Sequence, residues 1–85
     1  MKLYLVYIKH IQDCDISNEK VFSNANTALG YANTLADNLI ATNYAPIDDD
    51  SPYFSSISDW WCCKRFEDRY NDAEIIVTTI EYVNN

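Results

Sequence analysis

Nine residues near the start of the chain, LYLVYIKHI at 3–11, constrain the fold more than any other stretch. They are rich in aromatic and β-branched residues, which suit a pleated, buried surface. A strand turns successive side chains to opposite faces, so Leu3, Leu5 and Tyr7 share one face and Tyr4, Val6 and Ile8 the other. Both faces are apolar, the pattern of a strand covered on two sides. The chain has 85 residues, enough for one compact domain that buries about 60% of its unfolded surface. Aromatics make up 14% of it, and their large buried area offsets the small size. With one Gly and two Pro, the composition argues against disorder and low complexity.

The rest of the chain must supply partners for that strand. QDCDISN (12–18) reads as a turn and EKVF (19–22) as a short edge strand closing a hairpin. In 23–41, Ala25, Ala28, Leu29, Ala32, Leu35, Ala36, Leu39 and Ile40 recur at helical spacing and form one apolar stripe. Ser23 suits the N-cap, and Gly30 falls on the polar side as a tolerated surface glycine. Prolines, serines and an Asp run make 42–57 a loop. Ser58 then opens a second expected helix through about Tyr70, and AEIIVTTIEYV (73–83) reads as a strand. The expected fold is α+β: a β-β-α-α-β chain with a three-stranded antiparallel sheet, order 2-1-3, and both helices on one face. The second apolar face of strand 1 is then left for a partner or for a second copy in a homodimer.

The tract SDWWCCKRFEDRY (58–70) gathers the rarest residues. On a helix, Trp60, Cys62, Cys63, Phe66 and Tyr70 share the core side, whereas Trp61 points away among Lys64, Arg65 and Asp68. The adjacent cysteines diverge by about 100° there, whereas zinc needs four convergent ligands. Cys62 and Cys63 therefore read as small apolar core residues. His10 is the only imidazole and has no nucleophile at a recognisable spacing, so it reads as a strand-end residue making one hydrogen bond. One glycine excludes a P-loop and a dinucleotide fingerprint. DDDSPYFSSISD (48–59) fails as a calcium loop, because Tyr53 stands where the turn demands Gly and Pro52 occupies a ligand position. The reading is a non-enzymatic protein with no metal and no cofactor.

Charge then points to a surface. Thirteen acids against six bases give a net charge of −7, and no Lys or Arg lies between Lys20 and Lys64. Such a field repels phosphate backbones, which argues against direct nucleic-acid binding, and attracts basic protein surfaces. The expected partner-binding residues are Asp48, Asp49, Asp50, Tyr44, Tyr53 and Phe54 in the loop, with Asp59 and Trp61 beside them. Carboxylates steer and pair with Arg, and aromatics anchor. Three cysteines form no paired set, MKLYLVYIKHIQ lacks a small-residue cleavage site, and no apolar run approaches the roughly 20 residues of a membrane span. The expectation is a cytoplasmic protein with reduced thiols and no membrane partner.

In size and charge alone, the chain resembles small acidic phage-encoded inhibitors of host defence, of the anti-CRISPR and anti-restriction type. The resemblance rests on no motif and transfers no residue. It implies a stoichiometric blocker, in the host cytoplasm, of a basic nucleic-acid-binding surface on a CRISPR effector or nuclease. An immunity protein or antitoxin neutralising a basic toxin uses the same physics. A small thiol- or metal-dependent enzyme built on Cys62 or Cys63 is the rival from another class.

Overall fold

A computed structural model describes residues 2–47, 51–55 and 61–81; the side chains of Trp61 and Cys62 are outside this description. The elements run β1 (Lys2–His10), β2 (Asp15–Phe22), α1 (Ala25–Ala41), β3 (Ala45–Pro46), β4 (Trp61–Glu67) and β5 (Asp72–Glu81). They form one five-stranded antiparallel sheet, order β2-β1-β5-β4-β3, with α1 packed on it.

This corrects the expected fold. Among the described residues the sheet has five strands rather than three, and there is one helix rather than two. The neighbours 2-1-3 recur as β2-β1-β5 at one side of the sheet, with β2 at its edge, and β4 and β3 extend it beyond β5. The expected helix over 58–70 is replaced in its described part by strand β4, paired with β5 along its whole length from Trp61↔Thr78 to Glu67↔Asp72. Locally the tract is ambiguous: Lys64, Arg65 and Glu67 favour helix, whereas Trp, Cys and Phe suit a sheet. The tertiary structure decides it. Without β4, β5 would leave a ten-residue edge with Ile75, Ile76 and Val77 unpaired, and bare apolar edges are costly. Trp60, assigned to the core of that helix, lies outside the described residues.

Pairing also lengthens β2, which begins at Asp15 and shrinks the turn to Ile11–Cys14. Register shifts between Val6↔Lys20 and Ile8↔Ser17, so Asn18 and Glu19 both stand opposite Tyr7 in a β-bulge, with Asn18 at φ 59°. The Tyr31 hydroxyl on α1 donates to the Asn18 carbonyl at 2.8 Å, which ties the bulge to the helix. At the opposite edge Pro46 withholds a donor from solvent. Both edges are thereby blunted against further pairing.

Cross-strand register separates the two faces. Val6↔Val77, Ile8↔Ile75 and Ala73↔Phe66 meet on the side of α1. There Val6, Ile75, Val77, Phe66 and Leu35 are the largest fully buried side chains. Ala28, Ala32 and Ala36 stand four residues apart on α1 and are fully buried. Such small residues bring the helix backbone close to the sheet, so the sheet's branched and aromatic side chains fill the core. The N-cap is Asn24 rather than Ser23, its Oδ1 accepting from Thr27 N–H at 3.1 Å. Gly30 is exposed with open space around it.

Phe66 is the only side chain of β4 described as buried in this core. Phe66→Ala is expected to cost about 3–5 kcal/mol, most of the stability of a domain this small. Glu67→Ala, one position on and exposed, should stay within about 0.5 kcal/mol of the parent. Urea denaturation of the two variants checks the alternation that a strand imposes.

Candidate functional site

The helix C-terminus places the first site residue. After Thr42, Asn43 adopts φ 74°, a left-handed conformation that Asn tolerates better than most residues. Asn43 N–H donates to Ile40 O and Tyr44 N–H to Leu39 O, at 3.1 and 3.0 Å, the paired bonds of a Schellman end. Tyr44 is thereby turned back so that its ring packs, half-buried, against the core. Its hydroxyl feels three carboxylates. Partial burial first, and then the charges of Asp68, Asp13 and Asp72, hold its pKa above the ordinary tyrosine value.

Those three acids are far apart in sequence and come from two turns and a strand start at one end of the sheet. Asp13 is in the β1–β2 turn, Asp68 in the β4–β5 turn, and Asp72 opens β5. Backbone bonds stitch this end together: Ile11 N–H donates to Asp72 O at 3.1 Å, and Asp72 N–H donates to Gln12 Oε1 at 2.7 Å. Asp68 Oδ1 accepts from the Tyr70 and Asn71 amides at 2.8 and 2.6 Å and closes its turn. These two bonds, Tyr70's first, hold the Asp68 carboxyl below the usual carboxylate range. Among the described residues Tyr70 is the most exposed large hydrophobic side chain, at 75%, with the Arg69 guanidinium 5.4 Å from its ring centroid. The helix ends nearby with no basic residue in its last turn, so its negative dipole end is uncompensated from within α1.

Other expected contact residues are placed elsewhere. Tyr53 is exposed, and its hydroxyl donates to Asp37 Oδ1 on α1 at 2.6 Å. Phe54 is buried rather than exposed. Asn33 on α1 clamps its backbone, the side-chain amide donating to Phe54 O and the side-chain oxygen accepting from Phe54 N–H, at 3.1 and 2.7 Å. Phe54 therefore fastens the loop to the core and offers nothing to a partner. Asp48, Asp49, Asp50 and Asp59 lie outside the described residues, as does the side chain of Trp61 in β4. Thus, of the expected residues whose side chains are described, Tyr44 alone joins the acidic end. Asp13, Asp68, Asp72 and Tyr70 went unread in the sequence, because turn residues scattered from 13 to 72 share no motif and only strand pairing gathers them.

His10 makes one hydrogen bond, Nε2 to Ser17 Oγ at 3.0 Å across the hairpin. Cys14 is exposed in the turn at φ 55°, and Cys63 is half-buried in β4 opposite Ile76, on the face away from α1. Its expected place in a helical core is corrected accordingly: strand alternation turns Cys63 away from the side that buries Phe66. Among the described residues no three His, Cys, Asp or Glu side chains are grouped to hold a metal ion, and no helix is long and apolar enough to cross a membrane. Comparison with protein-family models, curated proteins and solved structures gave no match to this chain.

Two outcomes test this local structure. Asn33→Ala removes both bonds to the Phe54 backbone and should cost about 1–3 kcal/mol, with faster amide exchange at Phe54. Asp68 has a lowered pKa in the folded chain, so its contribution is complete above the unfolded aspartate value and disappears as pH falls through the folded one. Asp68→Ala should therefore lower the melting temperature at neutral pH, and the gap to the parent should close in acid. Melts across that pH range check it; a gap that stays constant would show that the turn does not depend on the ionised carboxylate.

Proposed function

We propose that this chain is a non-enzymatic binding protein that docks its acidic end on a basic surface of a partner protein. The observation that carries the reading is that strand pairing brings Asp13, Asp68 and Asp72 to one end of the sheet, where Ile11 N–H bonds Asp72 O and Asp72 N–H bonds Gln12 Oε1, with Tyr70 exposed in the same turn region. Carboxylates held on three separate backbone segments keep their spacing, so they meet Lys and Arg groups without being ordered on binding. Aromatic rings beside them supply the anchoring area and a face for guanidinium groups.

A surface of this kind suits partners that ordinarily hold nucleic acid, since their basic grooves are built for a negative field. Occupying such a groove blocks it stoichiometrically. An inhibitor of a nuclease or CRISPR effector is the use we favour, and a toxin-neutralising protein is the same binding mode on another basic target.

The test begins with affinity capture from a host lysate at low and high salt, followed by binding kinetics with the captured partner. Asp13→Asn combined with Asp72→Asn should slow association and flatten its salt dependence, while Tyr70→Ala should speed dissociation. Asp48→Asn, Asp49→Asn and Asp50→Asn together form the comparison arm for the acidic loop. Unchanged rate and salt slope in the Asp13/Asp72 variant would remove this end of the sheet from the interface. The same result in both arms would overturn the reading.

A further inference from the structure

The segment 51–55 lies against α1 and is held there by side chains alone. Asn33 reads the backbone of Phe54 twice: Nδ2 donates to Phe54 O at 3.1 Å, and Oδ1 accepts from Phe54 N–H at 2.7 Å. Only one orientation of the amide makes both bonds, and neither depends on which side chain stands at 54. That side chain is 6% exposed and belongs to the core cluster. One residue earlier, the Tyr53 hydroxyl donates to Asp37 Oδ1 at 2.6 Å, while Tyr53 as a whole stays exposed. Asn33 and Asp37 are four residues apart and so share one face of α1. Among the described residues, no backbone hydrogen bond joins 51–55 to another element.

These contacts specify a two-residue pattern: a phenol for Asp37, then an aromatic ring for the core, with the second residue's backbone read by Asn33. An extended segment of another chain with that pattern can make the same contacts, since backbone bonds supply affinity and side-chain sites supply specificity. Tyr53 stands at Asp37 and Phe54 one turn earlier at Asn33, so the segment runs opposite to the helix and its course points towards Gly30. Gly30 is exposed, and a Cβ there would meet nothing. The chain's own packing gives no reason for glycine in mid-helix, where it is less favourable than alanine. A peptide backbone passing close to the helix gives one.

We infer that this face of α1 is a docking site for an extended peptide in which a tyrosine precedes a second aromatic residue, and that Tyr53–Phe54 occupies it as a displaceable strap. A segment with so few bonds to the rest of the fold opens locally without global unfolding. Being tethered, it competes at an effective concentration in the millimolar range, so it masks the site until it opens. The inference uses no residue assigned to the acidic end, so it and the proposed function can fail separately.

The probe is acetyl-SPYFS-amide, the chain's own residues 51–55, titrated into the full chain and followed by nitrogen-15 NMR. Tyr53→Ala with Phe54→Ala vacates the site. The expected result is binding at least about tenfold tighter than to the parent, whose strap competes, with the Asn33 side-chain amide shifted. Asn33→Ala in the vacated chain should weaken binding about tenfold, as should a peptide carrying Phe54→Ser. Asn38→Ala, on another face of α1, should not. If the vacated chain unfolds, the peptide should refold it and raise its melting temperature with concentration. Neither binding nor refolding at millimolar peptide overturns the inference. So does binding that Asn33→Ala and the Phe54→Ser peptide leave unchanged, or that Asn38→Ala weakens equally. A vacated chain that associates with the parent chain but ignores the free peptide assigns the site to exchange between copies and overturns it too.

Discussion

The structure depends on the pairing of β1 with β5. Nine register pairs, from Lys2↔Glu81 to His10↔Ala73, join the two ends of the described chain. Closing so long a segment costs entropy that grows only slowly with its length, and burial along the pair offsets it. Val6, Ile8, Ile75 and Val77 meet there and make the platform on which α1 lands. β2 and β4 then each find one free edge of the pair, and every later feature is positioned by those two additions.

The acidic end is a consequence of that topology. Antiparallel pairing returns the β1–β2 and β4–β5 turns to the same end of the sheet, and α1 runs back to finish there too. Asp13, Asp68 and Asp72 are thereby concentrated near the Tyr44 hydroxyl although each belongs to an ordinary polar turn or strand start. Their mutual repulsion is tolerated because the turns are exposed and Asp68 is held by two backbone amides. The two faces of the sheet differ. One is closed by the alanines of α1, and register places Leu3, Leu5, Tyr7 and Ile76 on the other, with Arg65 and Glu74 paired beside them.

Local pattern was readable where one period dominated. LYLVYIKHI is apolar on both faces and rich in β-branched and aromatic residues, as a buried strand is, and the stripe from Ala25 to Ile40 recurs at helical spacing. The tract WCCKRFE fits both periods: Cys62 and Phe66 share a helix face, and Cys62, Lys64 and Phe66 share a strand face. Its state was settled by the open edge of β5, seen only once the sheet is assembled. The β-bulge at Asn18 is similar, because the extra residue shows itself only against the register of β1. Phe54 looked like an exposed anchor since its neighbours are polar, and it took the Asn33 clamp from α1, 21 residues away, to bury it.

By itself, the sequence determined the quantities that do not depend on who neighbours whom. These are the net charge of −7, the two-sided apolar strand and the helical stripe, since composition and local periodicity are properties of the covalent chain. Only the tertiary structure decided that β4 is a strand, that Asp13, Asp68 and Asp72 come to one end of the sheet, and that Cys63 and Ile76 face away from the helix. Each of these turns on contacts between residues remote in sequence. Their energies depend on register and on available edges, which no local window contains.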